Sequence, residues 1–289
     1  MSDEHRDYHP GSVSGATTST SAKGTALITG ASSGIGAVYA DRLARRGYDL
    51  ILVARNRDRL EALATRVTED TGRSVRVIAA NLNHRMDLAK VERVLRTRGA
   101  ITMLVNNAGV GSTAPLLDAD VDTMGRMIDL NVTALTRLTY VIVPAFVKRR
   151  GGTIINVSSA VAIWPELLNG VYGGTKAFVL AFSLSLQKEL GARGVRIQTI
   201  LPGAVGTAFW DIAGKPVDQL PTSIVMSVED VVDAALAGLD QGELVTIPSL
   251  PDRADWDAYE AARQRMMPGL SRSAPAERYG VAQMAALRR

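Results

Sequence analysis

Cysteine is absent from this 289-residue chain, so disulfides and thiolate metal centres are excluded. Histidine is scarce as well: His5, His9 and His84 are the only three. Two of them fall near the N-terminus, which argues against a histidine-based triad or metal site. No uninterrupted apolar run approaches the ~20 residues that a membrane span needs. No apolar segment follows a basic start as in a secretory signal, so a cytoplasmic location without a membrane partner is expected. Basic charge is present but not concentrated. The net charge is +4 and the arginines are spread over many segments, a pattern of solvated helix faces rather than a nucleic-acid surface. What remains is ordinary for a globular chain with a substantial core, at 46% hydrophobic and 21% charged residues.

Residues 1–23 hold Ser, Thr, Gly and charged side chains with little to bury, and they read as a disordered tail. From Thr25 onward short apolar runs alternate with longer amphipathic segments. Residues 25–29, 50–54, 75–79, 103–106, 153–157, 196–200 and 244–247 read as strands. Residues 34–46, 57–70, 87–97 and 120–148 read as helices. Continuous apolar strands alternating with helices predict an α/β fold, a single-domain doubly wound parallel sheet covered by helices on both faces. That domain is expected over residues 24–250. Gly47 after Arg45-Arg46 and Gly151 after Lys148-Arg149-Arg150 predict glycine helix stops with cations in the last turn. Ser227 and Asp230 resemble a capping box before a helix over 231–239. Residues 251–289 carry Trp256 and Tyr259 in a helical pattern; they are expected to cover a pocket, dock on a subunit or form a surface tail.

Between the first strand and the first helix stands Thr29-Gly-Ala-Ser-Ser-Gly-Ile-Gly36. Gly30, Gly34 and Gly36 permit a tight turn, so that backbone amides and a helix N-terminus can approach a pyrophosphate. Ser32, Ser33 and Ile35 belong to the same loop. An acid at the end of the second strand would bond the ribose hydroxyl of NAD, but the run here is Val53-Ala54-Arg55-Asn56-Arg57. A guanidinium can pair with a 2′-phosphate, so Arg55, with weaker help from Ser32 and Arg57, favours NADP(H) and leaves NAD(H) open.

Further on, Tyr172-Gly-Gly-Thr-Lys176 lies in a predicted helix, where residues four apart share a face. The spacing sets a phenol beside an ammonium. A cation within roughly 4–6 Å would favour phenolate and lower the tyrosine pKa from about 10, making Tyr172 a usable acid/base near neutral pH.

With these motifs in order, the chain resembles the short-chain dehydrogenase/reductase family, over about residues 23–250. Asn106-Asn-Ala-Gly109 resembles the family's NNAG motif, and Asn131 in Leu-Asn-Val matches its helix asparagine. Ser159 stands thirteen residues before Tyr172, and Pro202-Gly-Ala-Val-Gly-Thr207 resembles the segment after the sixth strand. The resemblance implies a Rossmann-type domain that interconverts a carbonyl compound and its alcohol by hydride transfer. It assigns proton transfer to Tyr172, hydrogen bonding of the substrate oxygen to Ser159, and a water linking Lys176 to solvent to Asn131. Lys176 would lower the tyrosine pKa and hold the nicotinamide ribose. Asn107, Ala108 and Gly109 would lie near the adenine ribose, and Pro202, Gly203, Val205 and Thr207 near the nicotinamide side. Asn81-Leu82 departs from the family's Asp-Leu, but an amide oxygen can still accept the adenine hydrogen bond. Gly174-Thr175 replaces the commoner Ala-Ser and keeps a hydroxyl.

Two other readings compete: a non-catalytic nucleotide-binding regulator or scaffold, and an epimerase on the same fold. The full Asn131, Ser159, Tyr172 and Lys176 set weighs against both. Residues 208–226, with Phe209 and Trp210, and Trp164 upstream suggest walls for a fairly apolar carbonyl or alcohol substrate. The segment from Ala177 to Leu186 is apolar nearly all round, so one face is expected to be buried in a homodimer or homotetramer.

Overall fold

The computed structural model describes residues 23–281; nearly all of the predicted tail, with His5 and His9, and residues 282–289 lie outside them. Seven parallel strands form the central sheet in the order β3-β2-β1-β4-β5-β6-β9. They are β1 (Thr25–Thr29), β2 (Asp49–Ala54), β3 (Val75–Ala79), β4 (Ile101–Asn106), β5 (Gly152–Val157), β6 (Val195–Ile200) and β9 (Val245–Thr246). The predicted doubly wound sheet is therefore observed. Alternate residues of each strand serve opposite cores, which explains the continuous apolar runs. Ala26 and Ile28 of β1 join one core, with Leu43 of α1 (Gly34–Arg45), Leu60 of α2 (Arg57–Thr71) and Leu236 of α8 (Val228–Asp240). Leu27 faces the other, with Val91 of α3 (Arg85–Thr97), Ile142 of α5 (Leu135–Lys148) and Leu186 of α6 (Gly170–Leu190). The strand order reverses between β1 and β4, and their C-terminal ends open a crevice there, the usual ligand position in such sheets.

Helix ends follow local chemistry, with one correction. Gly47 stops α1 at φ +94°, its N–H donating to Ala44 O at 2.8 Å, as predicted. The arginines before it do more than face a helix terminus. Arg42 bonds Asp233 of α8 at 2.7 Å, and Arg46 bonds Asp240 of the same helix at 2.9 Å. At the second site, Arg150 rather than Gly151 takes the left-handed conformation, with φ +52°. The cause is Arg149, whose guanidinium lies 4.6 Å over the Phe146 ring and donates to the carbonyls of Gly99, Ile101 and Gly151. Those bonds fix the turn that the glycine was expected to make. Ser227 caps α8 by accepting from Asp230 N at 3.0 Å, so that helix begins at Val228.

The predicted helix over 120–148 is broken into α4 (Val121–Ile128), a π-helical segment over Asp129–Ala134, and α5. By length and composition Val121–Lys148 could cross a membrane; here Leu138, Ile142 and Phe146 are almost fully buried against the sheet. A pair of two-residue strands, β7 (Ala204–Val205) and β8 (Val225–Met226), brackets the short helix α7 (Phe209–Ala213). None of these three was foreseen. On α6, Phe178 stacks on Phe182, which stacks on Tyr140 of α5. Tyr140 and Phe178 remain exposed; Phe178 lies in the segment of α6 that the sequence assigns to a subunit contact.

The first compact unit runs to Pro248. The second, from Ser249, contains α9 (Arg253–Arg265), in which no residue is buried, and a Trp256–Tyr259 ring pair 5.3 Å apart.

Candidate active site

Two loops meet at the crevice. Gly30 (φ +67°) turns the chain out of β1, and Gly36 lies so close that a Cβ there would strike Gly30 O and come within 2.5 Å of Asn107 Nδ2. Only glycine fits that approach. Asn107 holds the loop from the end of β4, its Nδ2 donating to Thr29 O at 2.8 Å and Gly30 O at 3.1 Å. Thr29 Oγ1 returns the support, accepting from the N–H groups of Asn107 and Ala108 at 3.0 Å each. Ser33 precedes α1 with no side-chain capping bond, and the first turn of α1 carries no acid. The N-terminal amides of α1 are therefore left for an anion.

Arg55 is exposed at the end of β2, and among the described residues no ion pair or side-chain hydrogen bond engages it. Arg57, by contrast, bonds Glu61 at 3.2 Å and Asn56 caps α2. Asn81 is exposed, with Oδ1 accepting from Asn83 N at 3.1 Å, while the Leu82 side chain is in the core. Any contact of Leu82 with a nucleotide is thus left to its backbone. Pro202 is buried, Gly203 exposed, and Val205 O accepts from Trp210 Nε1 at 3.0 Å. Thr207 stands next to Gly34 and accepts from Phe209 N at 3.3 Å. A dinucleotide fits these residues: an unbonded cation at one end, free helix amides in the middle, and the Thr207 segment at the other.

Helix α6 presents Tyr172 and Lys176 one turn apart. Its start is set by Asn169, whose Oδ1 accepts from Val171 N at 2.9 Å and Tyr172 N at 3.3 Å. Its Nδ2 reaches across to Ala114 O at 2.7 Å. Asn169 was missed in the sequence, although asparagine before a helix is a start signal. Lys176 Nζ lies 5.8 Å from the Tyr172 ring centre and donates to Val157 O at 3.0 Å. Ser159 stands at the end of β5, with long bonds to Pro202 O at 3.5 Å and from Val161 N at 3.4 Å, and its hydroxyl also meets the Tyr172 phenol.

The expected lowering of the tyrosine pKa is not what the site does. Burial pushes the Tyr172 phenol up to about 12, and the Ser159 hydroxyl opposes it only in part. The cover is apolar: Phe209 lies 5.7 Å from the Tyr172 ring, with Met124, Met127 and Val161 around it. Lys176 is itself so deeply buried that its ammonium is pulled down to about 8. Desolvation therefore sets the direction of the shift for both groups.

Asn131 explains the π-helical segment. Its Oδ1 accepts from Val110 N at 3.0 Å; its Nδ2 donates to Val110 O at 2.9 Å and Thr175 Oγ1 at 3.0 Å. The side chain ties three elements together, so the helix widens by a residue to deliver it. Both amide hydrogens are used, which leaves only a second lone pair on Oδ1 for the expected water. A methyl on Gly109 would lie 3.1 Å from Asn131 Oδ1 and 3.4 Å from Lys176 Nζ. The glycine keeps open a point within hydrogen-bonding reach of both, where a water would satisfy them.

A nucleotide crevice at the switch point and a Ser–Tyr–Lys–Asn cluster beside it define a dinucleotide-dependent class of enzyme fold. The profile of the short chain dehydrogenase family matches residues 24–216. A very-long-chain 3-oxoacyl-CoA reductase of Anas platyrhynchos is 34% identical over 201 residues, covering 68% of this chain and 64% of that relative, under two thirds of its length. A short-chain dehydrogenase from Sphingobium yanoikuyae, solved in complex with NADPH, is 47% identical, with TM-score 0.86 over 89% of this chain and 100% of the other. A bulky-bulky ketone specific alcohol dehydrogenase from Comamonas testosteroni is 43% identical, with TM-score 0.82 over 89% of this chain and 98% of the other. The chain belongs to the short-chain dehydrogenase/reductase family.

Proposed function

We propose that this protein is an NADP(H)-dependent oxidoreductase that reduces an apolar ketone with bulky groups on both sides of the carbonyl. The observation that carries this reading is the buried Tyr172 phenol, held at about 12 and so protonated at neutral pH, beside Ser159 and Lys176. Protonated at neutral pH, that phenol can give its proton to a carbonyl oxygen in reduction, and its conjugate base takes the proton back in the reverse direction. Tyr172 gives its proton to the carbonyl oxygen, and Ser159 hydrogen-bonds the same oxygen as negative charge develops there. The Lys176 ammonium faces the phenol and offsets the charge that the departing proton leaves. A nicotinamide cofactor supplies the hydride. The Gly30–Gly36 loop and α1 would hold its phosphates, Arg55 the 2′-phosphate, Asn81 the adenine, and Asn107 to Gly109 and Pro202 to Thr207 the two riboside halves.

Support for the substrate class comes from the segments bordering the site. Leu116, 83% exposed, and Leu167, 55% exposed, line a cavity at the start of α6, apolar surface that a large ketone would cover. The Comamonas relative's specificity for bulky-bulky ketones agrees with it. A panel of alkyl, aryl and steroidal ketones, followed by NADPH oxidation, tests the reading. Turnover should favour ketones with two large substituents, and a panel without any NADPH oxidation would refute it. For the nucleotide, Arg55→Ala should weaken NADPH binding about 10- to 100-fold by fluorescence titration, as loss of a charged hydrogen-bond pair implies. NADH binding should stay the same; an unchanged NADPH affinity would remove Arg55 from the phosphate site.

A further inference from the structure

A cavity of about 620 Å³ opens at the start of α6, between the loop after β4 and the segment that follows α7. It lies against the turn that leads into Tyr172, and the neighbours of that residue connect it to the catalytic cluster. Asn169 lines it and accepts from the Tyr172 N–H, and Leu168 lines it while packing on the cluster that contains Tyr172. Leu116 and Leu167 give it apolar walls, and among the described residues Lys215 is the single charged one that lines it. Lys215 is exposed and, among the described residues, makes no ion pair or side-chain hydrogen bond; Asp211 and Asp218, its acidic neighbours in sequence, do not close on it.

The position of Lys215 is fixed. Gly214 ends α7 at φ +93°, and Lys215 N donates back to Trp210 O at 3.0 Å, in the manner of a Schellman stop. Thr113 clasps the same helix end, its N–H and Oγ1 both donating to Ala213 O, at 2.9 and 2.8 Å. Helix α7 therefore holds Phe209 over the phenol at one end and Lys215 at the cavity at the other. A substrate whose carbonyl meets Tyr172 and whose body follows the leucine walls would bring its far end to the ammonium.

We propose that Lys215 is a specificity-determining residue that pairs with a carboxylate at the far end of the substrate, which makes the favoured ketones amphipathic oxo-acids. This rests on the ketone-reductase reading given above. Within that reading it predicts a preference that apolar walls alone cannot give, because a neutral ester of the same shape would fill them equally well.

The test compares an oxo-carboxylic acid of medium chain length with its methyl ester in the full-length protein. Turnover is read with NADPH, and binding by tryptophan fluorescence, since Trp210 adjoins the site. Lys215→Ala should raise KM and Kd for the acid about tenfold, leave kcat unchanged and leave the ester unaffected. Lys215→Arg should retain the preference, and Lys215→Glu should turn it toward the ester. Added salt should weaken binding of the acid alone. Equal effects on acid and ester, or none on either, would overturn the proposal. If neither compound oxidises NADPH, the reductase reading fails, while the fluorescence titration still decides whether Lys215 selects the acid.

Discussion

Tyr172→Phe should lower kcat for ketone reduction about 10³-fold, within the range of 10²–10⁴ that a general acid supplies. The variant keeps the ring, and with it the packing on Phe209 at 5.7 Å and on Met124, Met127 and Val161. NADPH affinity should therefore stay within about twofold of wild type, since no contact of the nucleotide loops is altered. The pH profile adds an independent reading. Because the phenol titrates only near about 12, reduction by the wild type should be level across neutral pH. It should fall above about 8, where the Lys176 ammonium loses its proton. A variant that turns over as fast as wild type would remove Tyr172 from the proton transfer.

Lys176→Met should do two opposite things: abolish most activity and make the fold more stable. The buried ammonium titrates at about 8 rather than 10.5, a difference that corresponds to about 3 kcal/mol of destabilisation of the charged form. Loss of the bond to Val157 O returns part of that, so a net gain of about 2 kcal/mol at pH 7 is expected. The sign follows from counting protons. Between about pH 8 and 10.5 the unfolded chain binds a proton at this lysine and the folded chain does not. Wild-type stability therefore rises through that window, and the advantage of the methionine variant shrinks with it. Chemical denaturation at several pH values reads both effects. A variant less stable than wild type at pH 7 would show that the ammonium is better solvated than its burial implies.

The strands and the nucleotide loop could be read from the sequence because their signals are local. A strand buried on both faces is an unbroken apolar run, and Gly30 to Gly36 declare their turn by themselves. What escaped depends on distant partners. The π-helical segment exists because Asn131 reaches Val110 and Thr175, the latter 44 residues away. Arg150 occupies the position expected for Gly151 because Arg149 is bonded to carbonyls before and within β4. The tyrosine pKa was misjudged for a related reason. Spacing on one helix shows Lys176, but the burial that raises the phenol comes from Met124, Met127, Val161 and Phe209, on other elements. The bonds that Asn107 makes to the loop after β1 likewise join residues distant in sequence.

The clasps that shape the site also bear on how the chain acquires it. Thr29 and Asn107 are 78 residues apart, and Thr113 and Ala213 are 100 apart. Closing such long loops costs chain entropy before any bond rewards it, and contacts of this kind form late and slowly. The nucleotide loop and the cover over the phenol are therefore expected to order together, with the docking of β1, β4 and α6. A partly folded chain carries the motifs without the site.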